Sequence, residues 1–276
     1  MRRPSRPSPK RSTAAGPAEV IRSTGNPRVR WVRQLQSRRR DREEQGVFLV
    51  EGARLAEEAL HAGSEARLVL RDEDLDTRSA AIARGFEERG AEVLTVTSRV
   101  LAACSATQTA PGLLVVSARP RLAVPRPLHL AVVADGLADP GNLGSLMRTC
   151  MAAGVEALFL TPGTVDVYNP KVVRGAMGAH FHLPTEILAE GPVSPAIAGL
   201  QLWLAAPRAG TPYHRVDWRP PIALVIGSEA HGGDPAWRAK AAGEAHIPMR
   251  AGTESLNAVI AAAVILFEIA RQRGSP

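Results

Sequence analysis

The chain has 276 residues, 45% of them hydrophobic, and a net charge of +7; this excludes a wholly disordered or fibrous protein and leaves room for one or two ordinary domains. No apolar run near the N-terminus has the length of a signal peptide, and none approaches the ~20 apolar residues of a membrane helix, so the expectation is a cytoplasmic protein of two globular units. The charge is uneven: residues 1–40 hold twelve Lys or Arg against Glu19 alone, while the remaining 22 basic and 26 acidic residues sum to −4.

Residues 1–22 are too poor in apolar side chains and too rich in proline to pack, and are expected to form a basic, disordered tail. Such a tail either attracts phosphates through counterion release or only keeps the chain in solution, and charge alone favours neither. Residues 24–42 predict a short amphipathic helix anchored by Trp31, Val32 and Leu35 and presenting Arg28, Arg30, Arg33, Arg38, Arg39 and Arg40 outward.

A strand at 47–50, a helix at 53–62 ending before Gly63, a strand at 67–70, a helix at 78–88 and strands at 92–96 and 113–117 continue an alternation that implies a small parallel α/β sheet. The Pro-rich run 119–127 interrupts both helix and central strand and reads as a linker. The expected organisation is therefore a unit at 23–118, a linker at 119–127 and a second unit at 128–276.

The second unit opens with a nearly continuous apolar strand at 128–134, suited to a sheet covered on both faces. A helix at 143–153, a strand at 157–160, a helix at 171–177 and strands at 202–205 and 222–226 follow, again α/β. Leu256, Val259, Ile260, Ala263, Val264 and Phe267 recur at helical spacing and predict an amphipathic C-terminal helix. Cys104 and Cys150 have no metal-ligand spacing and sit among apolar residues, which suggests reduced, structural thiols. His180 and His182 alternate along an expected strand, and two histidines by themselves point to structure rather than to a metal.

In open α/β sheets ligands bind beyond the carboxyl ends of strands, so three loops stand out. The first, 139–148, follows a strand and enters a helix, with Asn142 a candidate N-cap and Arg148 six residues on. The second, 227–233, is glycine-rich but lacks both the dinucleotide-fold and P-loop patterns, which disfavours a nucleoside triphosphate. The third, 247–257, leads into the last helix, where Ser255 and Asn257 are two small polar residues and capping accounts for one.

Together, in this order and spacing, the loops resemble those of the SpoU/TrmH branch of the SPOUT RNA methyltransferases, over nearly the whole chain from about Ser23. Asn142, Gly144 and Arg148 match that family's Asn-x-Gly-x-x-x-Arg; Gly227, Glu229 and Gly232 its Gly-x-Glu-x-x-Gly; Ile247 to Met249 and Ser255 to Asn257 its Ile-Pro-Met and Ser-Leu-Asn. Asn26-Pro27, Phe48-Leu-Val-Glu-Gly52, Asn169 to Arg174 and Gly178 match further segments. Ala230 and Gly233 depart from the usual glycine and Leu or Met of the second motif, without removing a polar catalytic group.

The resemblance implies a trefoil-knotted C-terminal methyltransferase domain, an exception to the unknotted rule, behind a smaller α/β domain that binds substrate RNA. It implies a homodimer, S-adenosylmethionine held by Gly227, Gly232, Ile247, Met249 and Leu256, and no metal. The reaction would be methylation of a ribose 2′-hydroxyl, in 23S ribosomal RNA before transfer RNA; a noncatalytic RNA-binding protein and a base methyltransferase are the rivals. The implied catalytic set is Asn142, Arg148, Glu229, Ser255 and Asn257, and the outward arginines would bind RNA phosphates.

Arg148 is the family's candidate for assisting loss of the ribose proton. A guanidinium with a pKa above about 12 has no lone pair to accept a proton, so orienting the ribose and stabilising the forming alkoxide is its second possible role. Glu229 would hold Arg148 or Asn142 in place.

Overall fold

The computed structural model describes residues 20–106, 112–189, 191–227, 235–251 and 255–274. Helices begin where Asx-Pro pairs dictate: Asn26 caps α1 (Pro27–Ser37), Asp139 caps α6 (Pro140–Ala152) and Asn169 caps α7 (Pro170–Ala176), each with proline at the first turn. The side-chain oxygen satisfies an orphan N–H, and the proline has none to satisfy. Asp139 therefore takes the capping role expected of Asn142, whose own backbone N–H donates to the Asp139 carboxylate over 2.8 Å.

The basic N-terminal segment is two helices rather than one. Arg38 adopts an extended conformation between α1 and α2 (Arg39–Gln45), and the Trp31 indole donates to Gln45 across the break. Of the expected anchors Val32 and Leu35 are buried and Trp31 only partly so, with Val29 the buried residue the reading missed; the break was not legible.

Strand β1 (Val47–Glu51), α3 (Ala53–His61), β2 (Ala66–Asp72), α4 (Thr77–Glu88), β3 (Glu92–Val96), α5 (Ser98–Cys104) and β4 (Leu113–Ala118) form the first unit. The sheet order is β1-β4-β2-β3, and β4 runs antiparallel to both its neighbours. The expected parallel sheet is thus corrected to a mixed one, with β4 inserted between β1 and β2. Strand direction is decided by pairing across the sheet, which alternation of elements does not report.

In the second unit β5 (Leu130–Asp135), β6 (Ala157–Leu160), β7 (Thr185–Ile187), β8 (Gln201–Ala205), β9 (Thr211–Pro212), β10 (Ile222–Gly227) and β11 (Gly243–His246) order as β7-β6-β5-β10-β8-β11-β9, with every pair parallel. Helix α8 (Pro235–Lys240) precedes β11, and α9 (Ala258–Gln272) ends the described chain. β5 and β10 are neighbours with flush carboxyl ends, Asp135 opposite Gly227. His180 lies in a 3-10 turn at Ala179–Phe181 and His182 follows it, not on the expected strand, because Met177 and Gly178 in the left-handed region turn the chain back.

Helix α9 buries Val259, Ala262, Ile265, Leu266, Ile269 and Ala270. Of the stripe expected to pack, Val259 is buried and Leu256, Ala263 and Val264 are partly buried, while Ile260 is 56% and Phe267 50% exposed. A helix apolar all round has two candidate faces, and sequence spacing cannot say which the sheet takes.

Candidate active site

A cavity lies at the carboxyl ends of β8, β10 and β11, against the start of α9. Its walls include Ile226, Gly227, Ile247, Met249, Ser255 and Leu256, joined by Ala205 to Pro207 and by Ala258, Ala261 and Ile265. Four of the five residues expected to hold the cofactor thus come together from segments far apart in sequence. Gly232 and Glu229, with the departures at Ala230 and Gly233, lie outside the described residues. The contribution of 205–207 could not be read beforehand, since only the strand order places the end of β8 beside that of β10.

The lining residues are mostly apolar, which fits an adenine ring and an attached ribose better than a charged polyphosphate. Ile226, Ile247, Met249 and Ile265 offer dispersion contact.

Asn257 connects this cavity to α6. Its Oδ1 accepts from the N–H groups of Val259 and Ile260, capping α9, while its amide donates to Oδ1 of Asn142 over 3.1 Å. Ser255 is exposed on the cavity wall.

Gly144, the motif's second member, serves packing. A Cβ there would lie 2.8 Å from the Val172 carbonyl oxygen and 3.0 Å from the Gly175 Cα. Two glycines let α6 and α7 approach backbone to backbone. Arg148 is on the exposed side of α6, in line with Ser145 and Met151, and is not among the residues lining the cavity. It forms no hydrogen bond or ion pair among the described residues.

The six expected RNA-contacting arginines are all exposed. Arg28, Arg39 and Arg40 are paired with Glu92, Glu43 and Glu44. Arg30, Arg33 and Arg38 have no such partner among the described residues and are the freer cations.

Neither cysteine has the environment of a nucleophile. Burial pushes the Cys104 thiol up to about 11 and raises that of Cys150 as well, and both are free and buried. His182 is paired with Glu58 and His180 with the Val167 carbonyl. No group of three or more potential metal ligands exists among the described residues, and no described helix is long and apolar enough to cross a membrane.

The SpoU rRNA Methylase family matches residues 129–267, and the MRM3-like substrate binding domain matches residues 26–115. The chain belongs to the SpoU rRNA methylase family. Among its relatives, the 23S rRNA (guanosine(2553)-2′-O)-methyltransferase RlmP of Bacillus subtilis is 30% identical, covering 90% of this chain and 98% of its own. The 23S rRNA (uridine(2479)-2′-O)-methyltransferase of Streptomyces viridochromogenes is 30% identical over 93% of this chain and 94% of its own. The structure of the SpoU methyltransferase AviRb from that organism, in complex with the cofactor AdoMet, superposes with a TM-score of 0.80 at 29% identity, covering 91% of this chain and all of the other. An RNA 2′-O ribose methyltransferase structure matches with a TM-score of 0.79 at 35% identity, over 92% and 99% of the two chains.

Proposed function

We infer that this protein transfers a methyl group from S-adenosylmethionine to a ribose 2′-hydroxyl of RNA, with 23S ribosomal RNA as the substrate class. The observation that carries this reading is the union, at one end of the parallel sheet, of the cavity lined by Gly227, Ile247, Met249 and Leu256 with the Asn142–Asn257 link to α6. The expected site of work is the cytoplasm. The reading includes a knotted path through the C-terminal domain, as the family resemblance implies.

The bound cofactor supplies a methyl group on a sulfonium, an electrophile that an oxygen must approach in line, so the protein's task is largely positioning. Gly227, Ile247, Met249 and Leu256 hold the adenosine moiety by backbone and apolar contact. Asn142 and Asn257 fix the start of α6 against the cavity and offer amide groups to the ribose. Arg148 orients the ribose and stabilises the oxygen as its proton leaves, a role a permanently charged donor fork can fill. Glu229 would orient Arg148.

Arg148 is not among the described residues that line the cofactor cavity, and a second copy of the chain would supply the cavity it works in. Met151 on α6, one turn from Arg148, and Ile260 and Phe267 on α9 are exposed apolar side chains on two helices that pack together. Covering them with a second copy buries them and sets Arg148 at the subunit boundary. Phe267→Asp should convert a dimer to a monomer in light scattering and abolish turnover; a native chain that is already monomeric at working concentration refutes the homodimer.

The deciding experiment is transfer of labelled methyl from S-adenosylmethionine to unmodified total RNA, followed by nucleoside analysis. Label in a 2′-O-methyl nucleoside of large ribosomal RNA is expected. Label on a base, or none in any RNA despite cofactor binding, overturns the reading.

A further inference from the structure

Helix α7 belongs to two hydrophobic cores. Val172 and Ala176 pack into the core under the seven-stranded sheet, while Val173, between them, packs with Phe48, Val50 and Leu113 in the core of the four-stranded sheet. Along the same helix Gly175 meets Gly144 of α6. Any shift of the N-terminal unit is therefore carried to the helix holding Asn142 and Arg148, because packed interiors transmit displacement rather than absorb it.

One charged contact ties the last turn of α7 to the N-terminal unit. Glu51, the last residue of β1, has a side chain only 3% exposed. It accepts hydrogen bonds from the Ser105 hydroxyl at 2.8 Å and the Ala106 N–H at 3.2 Å, and Nη1 of Arg174 stands 3.8 Å from its Oε1. That Nη1 is buried and makes no hydrogen bond. A buried carboxylate needs both donors and a counter-charge; Ser105 and Ala106 supply the donors, and Arg174 supplies the charge from the other unit.

We propose that Glu51 is a positioning residue for methyl transfer: through Arg174 and the Gly175–Gly144 contact, it sets the placement of α6 relative to the RNA-binding unit. It touches neither RNA nor cofactor. The inference rests on the reading of α6 as the helix that carries the reacting groups. The long Glu51–Arg174 distance makes the tie Coulombic rather than a fitted hydrogen bond, so it depends on charge more than on shape.

The test uses Glu51→Gln, Arg174→Met and Arg174→Lys in the full chain. With saturating ribosomal RNA and S-adenosylmethionine, Glu51→Gln and Arg174→Met should each lower kcat about tenfold while KM for RNA and Kd for S-adenosylmethionine stay within twofold. The double variant should be no slower than the slower single one, and Arg174→Lys should recover most of kcat. An unchanged kcat in Arg174→Met, or a loss confined to KM for RNA, overturns the proposal. Should Glu51→Gln fail to fold, the half-exposed Arg174 still permits the Met and Lys pair. Hydrogen exchange separates this proposal from the functional reading: both charge-removing variants should speed exchange in residues 140–152 without changing that of α9. Equal protection there sinks the coupling, whether or not the native chain methylates RNA.

Discussion

Asn257 spans two helix starts at once, capping α9 with its oxygen while its amide donates to Asn142, 115 residues earlier in the chain. The two roles can be separated by substitution. Serine is a comparable cap but is too short to reach Asn142, whereas alanine removes both contacts. Asn257→Ser should keep native stability and lose at least tenfold in kcat, and Asn257→Ala should lose about 1 kcal/mol of stability in addition. Denaturant unfolding and methyl-transfer rates together check this; full activity in Asn257→Ser would leave Asn257 only its capping role.

Gly144→Ala should be destabilising although alanine is the better helix former. Its Cβ would press on backbone atoms of Val172 and Gly175, which cannot yield as a flexible side chain can. Overpacking of this kind costs about 1–3 kcal/mol. Ser145→Ala, one residue on and exposed, is the control; equal melting temperatures for the two variants would contradict the close approach of α6 and α7.

The six arginines divide by their partners. Replacing Arg30, Arg33 and Arg38 by serine should weaken RNA binding and reduce the slope of log affinity against log salt by about 2 to 3, roughly one per phosphate contact. The same triple change at Arg28, Arg39 and Arg40, which already face Glu92, Glu43 and Glu44, should have a smaller effect. Filter binding across a salt series measures both, and identical slopes for the two triples would assign the contacts elsewhere.

His180 gives the fold a pH dependence. Burial pushes its imidazole down to about 4, outweighing the opposing effect of the Val167 carbonyl, which accepts a hydrogen bond from its Nε2–H. The unfolded chain therefore binds a proton below about 6.5 that the folded chain refuses, and stability falls as pH drops from 6.5 towards 4, by at most about 1.4 kcal/mol per pH unit. His180→Gln should flatten this part of the stability profile measured by urea unfolding. A slope unchanged by the substitution would move its origin to another group.

Much of this was legible in the residues. The apolar runs at 128–134 and 222–226 mark strands, the first of them suited to cover on both faces, and both are found within a residue or two of those bounds. The motif residues Gly227, Ile247, Met249 and Leu256 were found by their order along the chain and meet in one cavity. Other features depend on partners distant in sequence. The antiparallel course of β4, the contribution of 205–207 to the cavity and the outward turn of Ile260 and Phe267 follow from strand order and from which face of α9 the sheet occupies.

By itself the sequence determined most of the helices and strands and the family, and it nominated the residues that line the cavity, because hydrophobic period and motif spacing are properties of short stretches. Only the tertiary structure decided that Asn142 is held by Asn257 instead of capping its own helix, that Gly144 is a contact with Gly175, and that α7 joins two cores through Arg174 and Glu51. Each of these is a meeting of side chains from different segments, and such meetings are fixed by packing, where volume and charge are satisfied by whichever segment the fold brings alongside.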